Sequence, residues 1–309
     1  MEREGDQIHI VWLPGQACTG CTVSFLNATH PSVIDLLTGF LPQAADITLN
    51  YHSTIMLQWG DEALEAVRAA ERGELQPFVL IVEGAIPDEF IAEERGGYWC
   101  IIGEEDGKPV TFSERVNRLA KNAAAIVAAG TCASFGGIPH GSPNPTRAKG
   151  LLDFLGHEWR STLKLPIICV PGCPVHGEHL AEVLTSAVLA VRGYLPVPEL
   201  DEYHRPTFIF GPTVHESCPL GGYYSDWAYS REYGEPYCME LLGCKGPMTH
   251  CDAPKRGFIE GVGGCTTIGS LCIGCTEPEF PDAPFSPFMS RASILAILKR
   301  SIRRLLGRS

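Results

Sequence analysis

A chain of 309 residues, 45% hydrophobic and 19% charged, can bury one large core and a smaller second one, which excludes a disordered or wholly solvated polypeptide. Its formal net charge of −12 argues against nucleic acid as a partner, and no apolar run reaches the ~18 residues that span a bilayer. Thirteen cysteines in a chain of this size do not read as the disulfide framework of a small secreted domain.

The opening segment, MEREGDQIHIVWLPG, has neither a basic start followed by an apolar stretch nor a twin-arginine pair, so a reducing, cytoplasmic setting is expected for the thiols. Ile8 to Leu13 is β-rich and ends at Pro14-Gly15, the pattern of a first parallel strand delivering a loop at its carboxyl edge. Cys18 and Cys21 sit on that loop. Val33 to Leu37 and Ala63 to Ala70 read as helices, and Phe78 to Val82, between Pro77 and Glu83-Gly84, as a buried strand. Asn117 to Ala129 is one alanine-rich helix or a helix running into a strand, stopped by Gly130. Ile167 to Val170 is a further strand ending at Pro171-Gly172, and Val183 to Arg192 a helix closed by Gly193. Strands alternating with helices predict an α/β, doubly wound parallel sheet over residues 1–195.

After Pro196-Val197-Pro198 the texture changes. Residues 196–288 carry many Gly and Pro, no long periodic segment and seven of the cysteines, so a mostly irregular domain is expected whose order comes from metal ligation. Residues 289–309 predict a basic amphipathic helix: Ile294, Leu295, Ile297, Leu298, Ile302, Leu305 and Leu306 at helical spacing, beside Lys299, Arg300, Arg303 and Arg304. Such a helix suits a membrane surface or a docking partner.

Eleven cysteines and one histidine fall into three sets of four: Cys18/Cys21/Cys132/Cys173, His215/Cys218/Cys238/Cys244 and Cys251/Cys265/Cys272/Cys275. Each member of the first set follows a strand or strand-like run, and such carboxyl-edge loops gather in one crevice of an open sheet. Thiolates in this number bind soft or borderline metals, and three sites in one chain suggest a row of redox centres. Zinc accepts the same ligands, and a lone CxxC also suits a thioredoxin-like pair, so neither is excluded by ligand type. Replacing one thiolate by His215 makes a cluster less negative and raises its potential. Cys251 stands apart and also reads as a buried, inert thiol. Cys100 and Cys169 read as core residues. Glu83, after a buried strand, reads either as a proton relay or as a loop cap. His140, His176 and His179 read as surface or packing residues, and no GxGxxG or P-loop pattern is present.

WLPGQACTGCTVSFLN, VEGAIP, GTCASFGGIP, PGCPVHGE, HESC, GCKGP and LCIGCTEPEFPD, in this order, resemble the small subunit of nickel-iron hydrogenases, from about Ile8 to Phe288. The resemblance implies a flavodoxin-like N-terminal domain and an irregular iron-sulfur domain. It implies a proximal 4Fe-4S cluster on Cys18, Cys21, Cys132 and Cys173, and a distal 4Fe-4S cluster on His215, Cys218, Cys238 and Cys244. A medial 4Fe-4S or 3Fe-4S cluster falls to Cys251, Cys265, Cys272 and Cys275. The nickel-iron centre would lie in a separate large subunit, and Glu83 matches the glutamate of the family's EGA motif. Oxygen-tolerant membrane-bound members add two cysteines where this chain has Gly20 and Gly137, so a modified proximal cluster is not expected.

The expected function is that of the electron-transfer small subunit of an uptake hydrogenase, at the cytoplasm or peripheral on the cytoplasmic membrane face. It would pair with the large subunit, in a higher oligomer of heterodimers, and pass electrons to a quinone, cytochrome or iron-sulfur protein. A hydrogen-sensing regulatory hydrogenase shares the motifs. A quinone-reducing complex shares only the N-terminal fold, and the stretch from His215 to Cys275 argues against it.

Overall fold

The computed structural model describes residues 7–38 and 47–281. In chain order, β1 (Ile8–Pro14) is followed by α1 (Gly20–Leu26), α2 (Val33–Leu37), β2 (Ile47–His52), α3 (Gly60–Glu71) and β3 (Phe78–Glu83). Then come α4 (Glu89–Glu94), the hairpin β4 (Ile101–Glu105) and β5 (Lys108–Thr111), α5 (Phe112–Ala120) and β6 (Ala125–Ala129). The helices α6 (Gly130–Phe135), α7 (Gly137–His140) and α8 (Leu151–Leu155) lead to β7 (Ile167–Val170) and α9 (Gly177–Val191).

The main sheet has the order β2-β1-β3-β6-β7, and every pairing in it is parallel. This is the flavodoxin-like succession, doubly wound as expected, with the connection reversing between β1 and β3. Successive strand residues point to opposite faces, so the strands build two cores. Ile8, Ile10, Trp12, Ile81, Val127 and Ile168 pack on one face against α1, α2 and α9. Val11, Leu13, Leu80, Val82, Ile126 and Ile167 pack on the other against α3, α5 and α8.

The stretch 117–129 is a helix running into a strand. The Asn122 amide donates to the carbonyls of Ala70 and Glu71 at 3.3 and 2.7 Å, a side-chain bond that ends the helix and fixes the turn before β6. Helix α9 begins well before Val183, because His176 Nδ1 accepts the Glu178 amide at 3.3 Å as an N-cap and a Cβ on Gly177 would collide with the Ser24 carbonyl. Strand β2 carried no clear sequence signal: only half of ITLNYH is buried, so its pattern is weak.

The chain divides into two compact units, one of residues up to Gly211 together with Thr276–Pro278, the other from Pro212 to Cys275 and beyond Pro278. The first unit runs past residue 195 because Ile209 and Phe210, in α10 (Thr207–Phe210), are buried in the sheet's core. Arg205, 2% exposed, donates to Asp201 Oδ2 at 2.7 Å, to the Thr276 carbonyl at 3.0 Å and to Glu277 Oε1 at 3.1 Å, and so holds 276–278 to this unit.

The second unit has α11 (Gly221–Ser225), α12 (Ala253–Arg256) and three single 3₁₀ turns, with no strand among its described residues. Its apolar clusters are small, one around Val214, Ala253, Cys251 and Cys272 and another around Met239, Leu242 and Leu271. The basic helix expected over 289–309 lies outside the described residues. No described helix is long and apolar enough to cross a membrane.

Candidate metal centres

The first donor set sits on the carboxyl ends of three parallel strands. Cys18 and Cys21 follow β1, Cys132 lies in α6 directly after β6, and Cys173 follows β7. The chain leaves β6 through Gly130 at φ 84°, where a Cβ would lie 2.4 Å from Cys21 Sγ. At Gly137, φ 50°, a Cβ would lie 2.8 Å from both the amide nitrogen and Sγ of Cys132. Backbone thus closes on these sulfurs as only glycine permits. Burial pushes the Cys21 thiol well up and Cys132 to about 11, and their neighbours Cys18 and Cys173 add smaller through-space shifts in the same direction. Cys173 is raised by burial and by Cys18, so Cys18 lies within electrostatic reach of each of the other three.

Glu83, the last residue of β3, is 2% exposed at this edge. Trp12 Nε1 donates to its Oε2 at 3.0 Å, the Thr22 amide to Oε1 at 3.2 Å and the Thr22 hydroxyl to Oε2 at 2.5 Å. His52 Nδ1 accepts the Thr54 amide at 3.2 Å, so its proton is on Nε2, which faces Thr22 Oγ1 at 3.2 Å. The donors therefore run from His52 through Thr22 to Glu83. Burial lowers the His52 pKa to about 4. Trp12, Thr22 and His52 were not singled out from sequence; a threonine beside a CxxC cysteine was the available hint.

In the second unit, His215, Cys218, Cys238 and Cys244 line one cavity with Val214, Leu220 and Met239. Cys238 is raised by burial to about 11, with smaller contributions from Glu240, Cys244 and Cys218. In the third set Cys251 and Cys272 pack together and are pushed well up by burial, Cys251 also sensing Cys265 and Cys272 sensing Cys275. Cys265 is raised by burial and by Cys244. The second and third sets adjoin: Cys244 Sγ accepts the Cys272 amide, and the Lys245 amide donates to the Cys272 carbonyl at 2.8 Å. Thr249, 1% exposed, sends its hydroxyl to the Lys245 carbonyl at 2.8 Å and is also hydrogen-bonded to Cys272. Sequence reasoning passed over Lys245 and Thr249, although both stand inside the GCKGPMTHC run.

The donor chemistry fits iron-sulfur clusters. Backbone amides already point at the sulfurs: Val175 at Cys21, Ile138 at Cys132, Glu240 at Cys238, Gly246 at Cys244, Ala253 at Cys251 and Gly274 at Cys272. Such N–H···S bonds stabilise thiolate, the form a cluster needs, while burial without metal favours the neutral thiol. Cys100 and Cys169 stand outside the sets, Cys169 fully buried and raised by burial to about 12, Cys100 raised to about 11. His176 and His179 are buried in the first unit and stacked on each other at 4.5 Å, His176 also capping α9; His140 is exposed.

Two family models match the chain. Residues 18–187 match the NADH ubiquinone oxidoreductase 20 kDa subunit, and residues 210–289 match the C-terminal region of the NiFe/NiFeSe hydrogenase small subunit. The periplasmic [NiFeSe] hydrogenase small subunit of Desulfomicrobium baculatum is 39% identical over 90% of this chain and 86% of that protein. The uptake hydrogenase small subunit of Bradyrhizobium diazoefficiens is 33% identical over 89% of this chain and 70% of that protein. Among solved structures, a chain of the actinobacterial-type NiFe-hydrogenase from Ralstonia eutropha H16 is similar with a TM-score of 0.89 and 40% identity, over 98% of this chain and 90% of that one. With the sheet domain and the cysteine-rich domain both matched, the chain belongs to the nickel-iron hydrogenase small-subunit family, whose members carry iron-sulfur clusters and serve as electron-transfer partners of a large subunit.

Proposed function

We propose that this chain serves a hydrogen-oxidising uptake hydrogenase and holds three iron-sulfur clusters. The proximal 4Fe-4S cluster is assigned to Cys18, Cys21, Cys132 and Cys173, the medial 4Fe-4S cluster to Cys251, Cys265, Cys272 and Cys275, and the distal 4Fe-4S cluster to His215, Cys218, Cys238 and Cys244. The observation that supports this reading is that backbone amides are aimed at two sulfurs of each of the three sets read from the sequence. Four available thiols in the third set favour four irons over three there.

When bound, such clusters supply reversible one-electron storage at potentials set by ligand charge, hydrogen bonds to sulfur and solvent access. The chain's own residues set those terms. The amides neutralise sulfur charge, the apolar side chains Val214, Leu220 and Met239 keep water from the second set, and His215 makes that set the least negative. We assign electron exit to the His215 set for that reason. Glu83 is assigned as a proton relay at the first set, because the donor row from His52 through Thr22 ends on its carboxylate.

We further propose an oligomer of heterodimers in the cytoplasm, peripheral on the cytoplasmic membrane face, a reading supported by the basic, apolar composition of segment 289–309. The test is to purify the two subunits together, measure iron and sulfide, and record electron paramagnetic resonance spectra as purified and reduced. Three clusters with no 3Fe-4S signal are expected, together with hydrogen-dependent dye reduction that Cys18→Ala abolishes. Turnover unchanged by Cys18→Ala would refute the proximal assignment, and negligible turnover would favour a hydrogen sensor.

A further inference from the structure

Trp227 is a large ring held where the backbone does not favour one. It follows α11 in the left-handed region, φ 60°. Its amide donates to the Tyr224 carbonyl at 3.3 Å and the Ala228 amide to the Tyr223 carbonyl at 2.9 Å, a helix-ending turn whose favoured residue is Gly or Asn. Burial does not offset this strain, because the indole is 65% exposed. A local rule broken at a side chain with so little burial points to a function.

The ring does belong to a row. His215 meets Tyr224 edge to face with centroids 4.4 Å apart, Tyr224 meets Tyr229 at 6.1 Å and 86°, and Tyr229 meets Trp227 at 6.5 Å and 89°. Such T-shaped contacts are favourable aromatic geometry. One end is a candidate cluster ligand and the other is solvent. The segment carrying Tyr229 is also tied to a second candidate ligand, since the Ser230 amide donates to the Cys238 carbonyl at 2.8 Å and the Cys238 amide to the Ala228 carbonyl at 3.2 Å. Tyr223 and Tyr237, both partly exposed, form a further edge-to-face pair at 5.4 Å. Charge in the same stretch is acidic: Asp226, Glu232 and Glu235 against Arg231.

We propose that Trp227 is the docking platform for a planar, cationic aromatic electron acceptor, which stacks on the exposed indole and is favoured by the net negative charge of the segment that carries it. Flat π-systems stack on exposed aromatic rings, and a cation over indole gains a further electrostatic attraction. The row of rings then gives an unbroken packed path between acceptor and ligand. This rests on reading the His215 set as the electron exit. Each hydrogen molecule oxidised by the complex yields two protons and two electrons; methylene blue, a planar cation, takes both electrons and one proton to become the leuco form, and the second proton is released.

The test uses the purified heterodimer with Trp227→Gly, a residue that relieves the backbone strain. The KM for methylene blue is expected to rise at least fivefold, while the KM for ferricyanide, which is anionic and not planar, and the cluster resonance signals stay as in the wild type. Without hydrogen, methylene blue should quench tryptophan fluorescence of the wild type with a saturable component that Trp227→Gly lacks and Trp227→Phe cannot report, whereas Trp227→Phe should restore most of the KM. A wild-type KM in Trp227→Gly would overturn the proposal. If Trp227→Gly fails to assemble, Trp227→Asn, which also tolerates this backbone, takes its place in the same measurements. A wild-type complex lacking cluster signals would overturn the exit reading instead, and the quench would still decide Trp227.

Discussion

Replacing Thr22 by Val keeps the shape of a buried side chain and removes only its hydroxyl, which is why it probes the Glu83 site cleanly. Thr22 is 1% exposed, so no water fills the gap. Two bonds are lost: the 2.5 Å donation to Glu83 Oε2 and the 3.2 Å contact with His52 Nε2. Glu83 keeps Trp12 and the Thr22 amide, so its loss is partial, but the His52 Nε2 proton is stranded, because Nδ1 is already engaged with the Thr54 amide. A hydrogen bond to a charged group is worth about 1.5–3 kcal/mol and an orphaned buried donor costs about 1–3 kcal/mol; since the groups are coupled, a total of about 3 kcal/mol is expected. Urea unfolding of the purified complex reads this as a lower midpoint with an unchanged slope. In a cycle with His52→Phe, which removes the stranded donor, the double variant should recover about 1 kcal/mol or more relative to additivity. A Thr22→Val protein within about 0.5 kcal/mol of the wild type would refute the donor row.

His52 also sets a pH dependence. Its folded pKa is depressed from 6.5 to about 4, so the stability it contributes is present above 6.5 and lost as pH falls through 4, up to about 3 kcal/mol over that window. Urea midpoints across this range should show that loss, and His52→Gln should flatten it. Gly137→Ala should cost about 2–4 kcal/mol, from the left-handed backbone and the 2.8 Å approach to Cys132, and should lower the iron content of the first set by metal analysis. Chelating the iron should raise hydrogen exchange across 212–275 to near that of an unfolded chain while β1, β3 and β6 stay protected, because only the sheet unit has a large apolar core. Arg205→Met should cost about 3 kcal/mol, since it removes the buried guanidinium from Asp201 and Glu277, and should free the chain after Cys275, read as exchange at Thr276 and Glu277.

Much of this protein was legible in its sequence. The runs at Ile8, Phe78 and Ile167, each closed by a turn signal, are local patterns that hold wherever the chain goes, and cysteine spacing announces its own chemistry. The family resemblance extended these patterns to a fold, and the sheet order agrees with it. Strand β2 was not legible, because half of its residues are only partly buried and it exists as a strand by pairing with β1. The ambiguity over 117–129 was settled by a side-chain bond from Asn122 to a helix far away in sequence.

The residue types able to hold a metal, and the spacing from which the three proposed sets are read, belong to the sequence alone, because a thiolate's affinity for iron is a property of the residue itself. Only the tertiary structure decided what surrounds the ligands: the donor row from His52 to Glu83, the Cys272 amide on Cys244, and the row of rings from His215 to Trp227. These are contacts between segments remote in sequence or between rings whose orientation packing sets, and no local pattern encodes a hydrogen-bond direction or an edge-to-face angle.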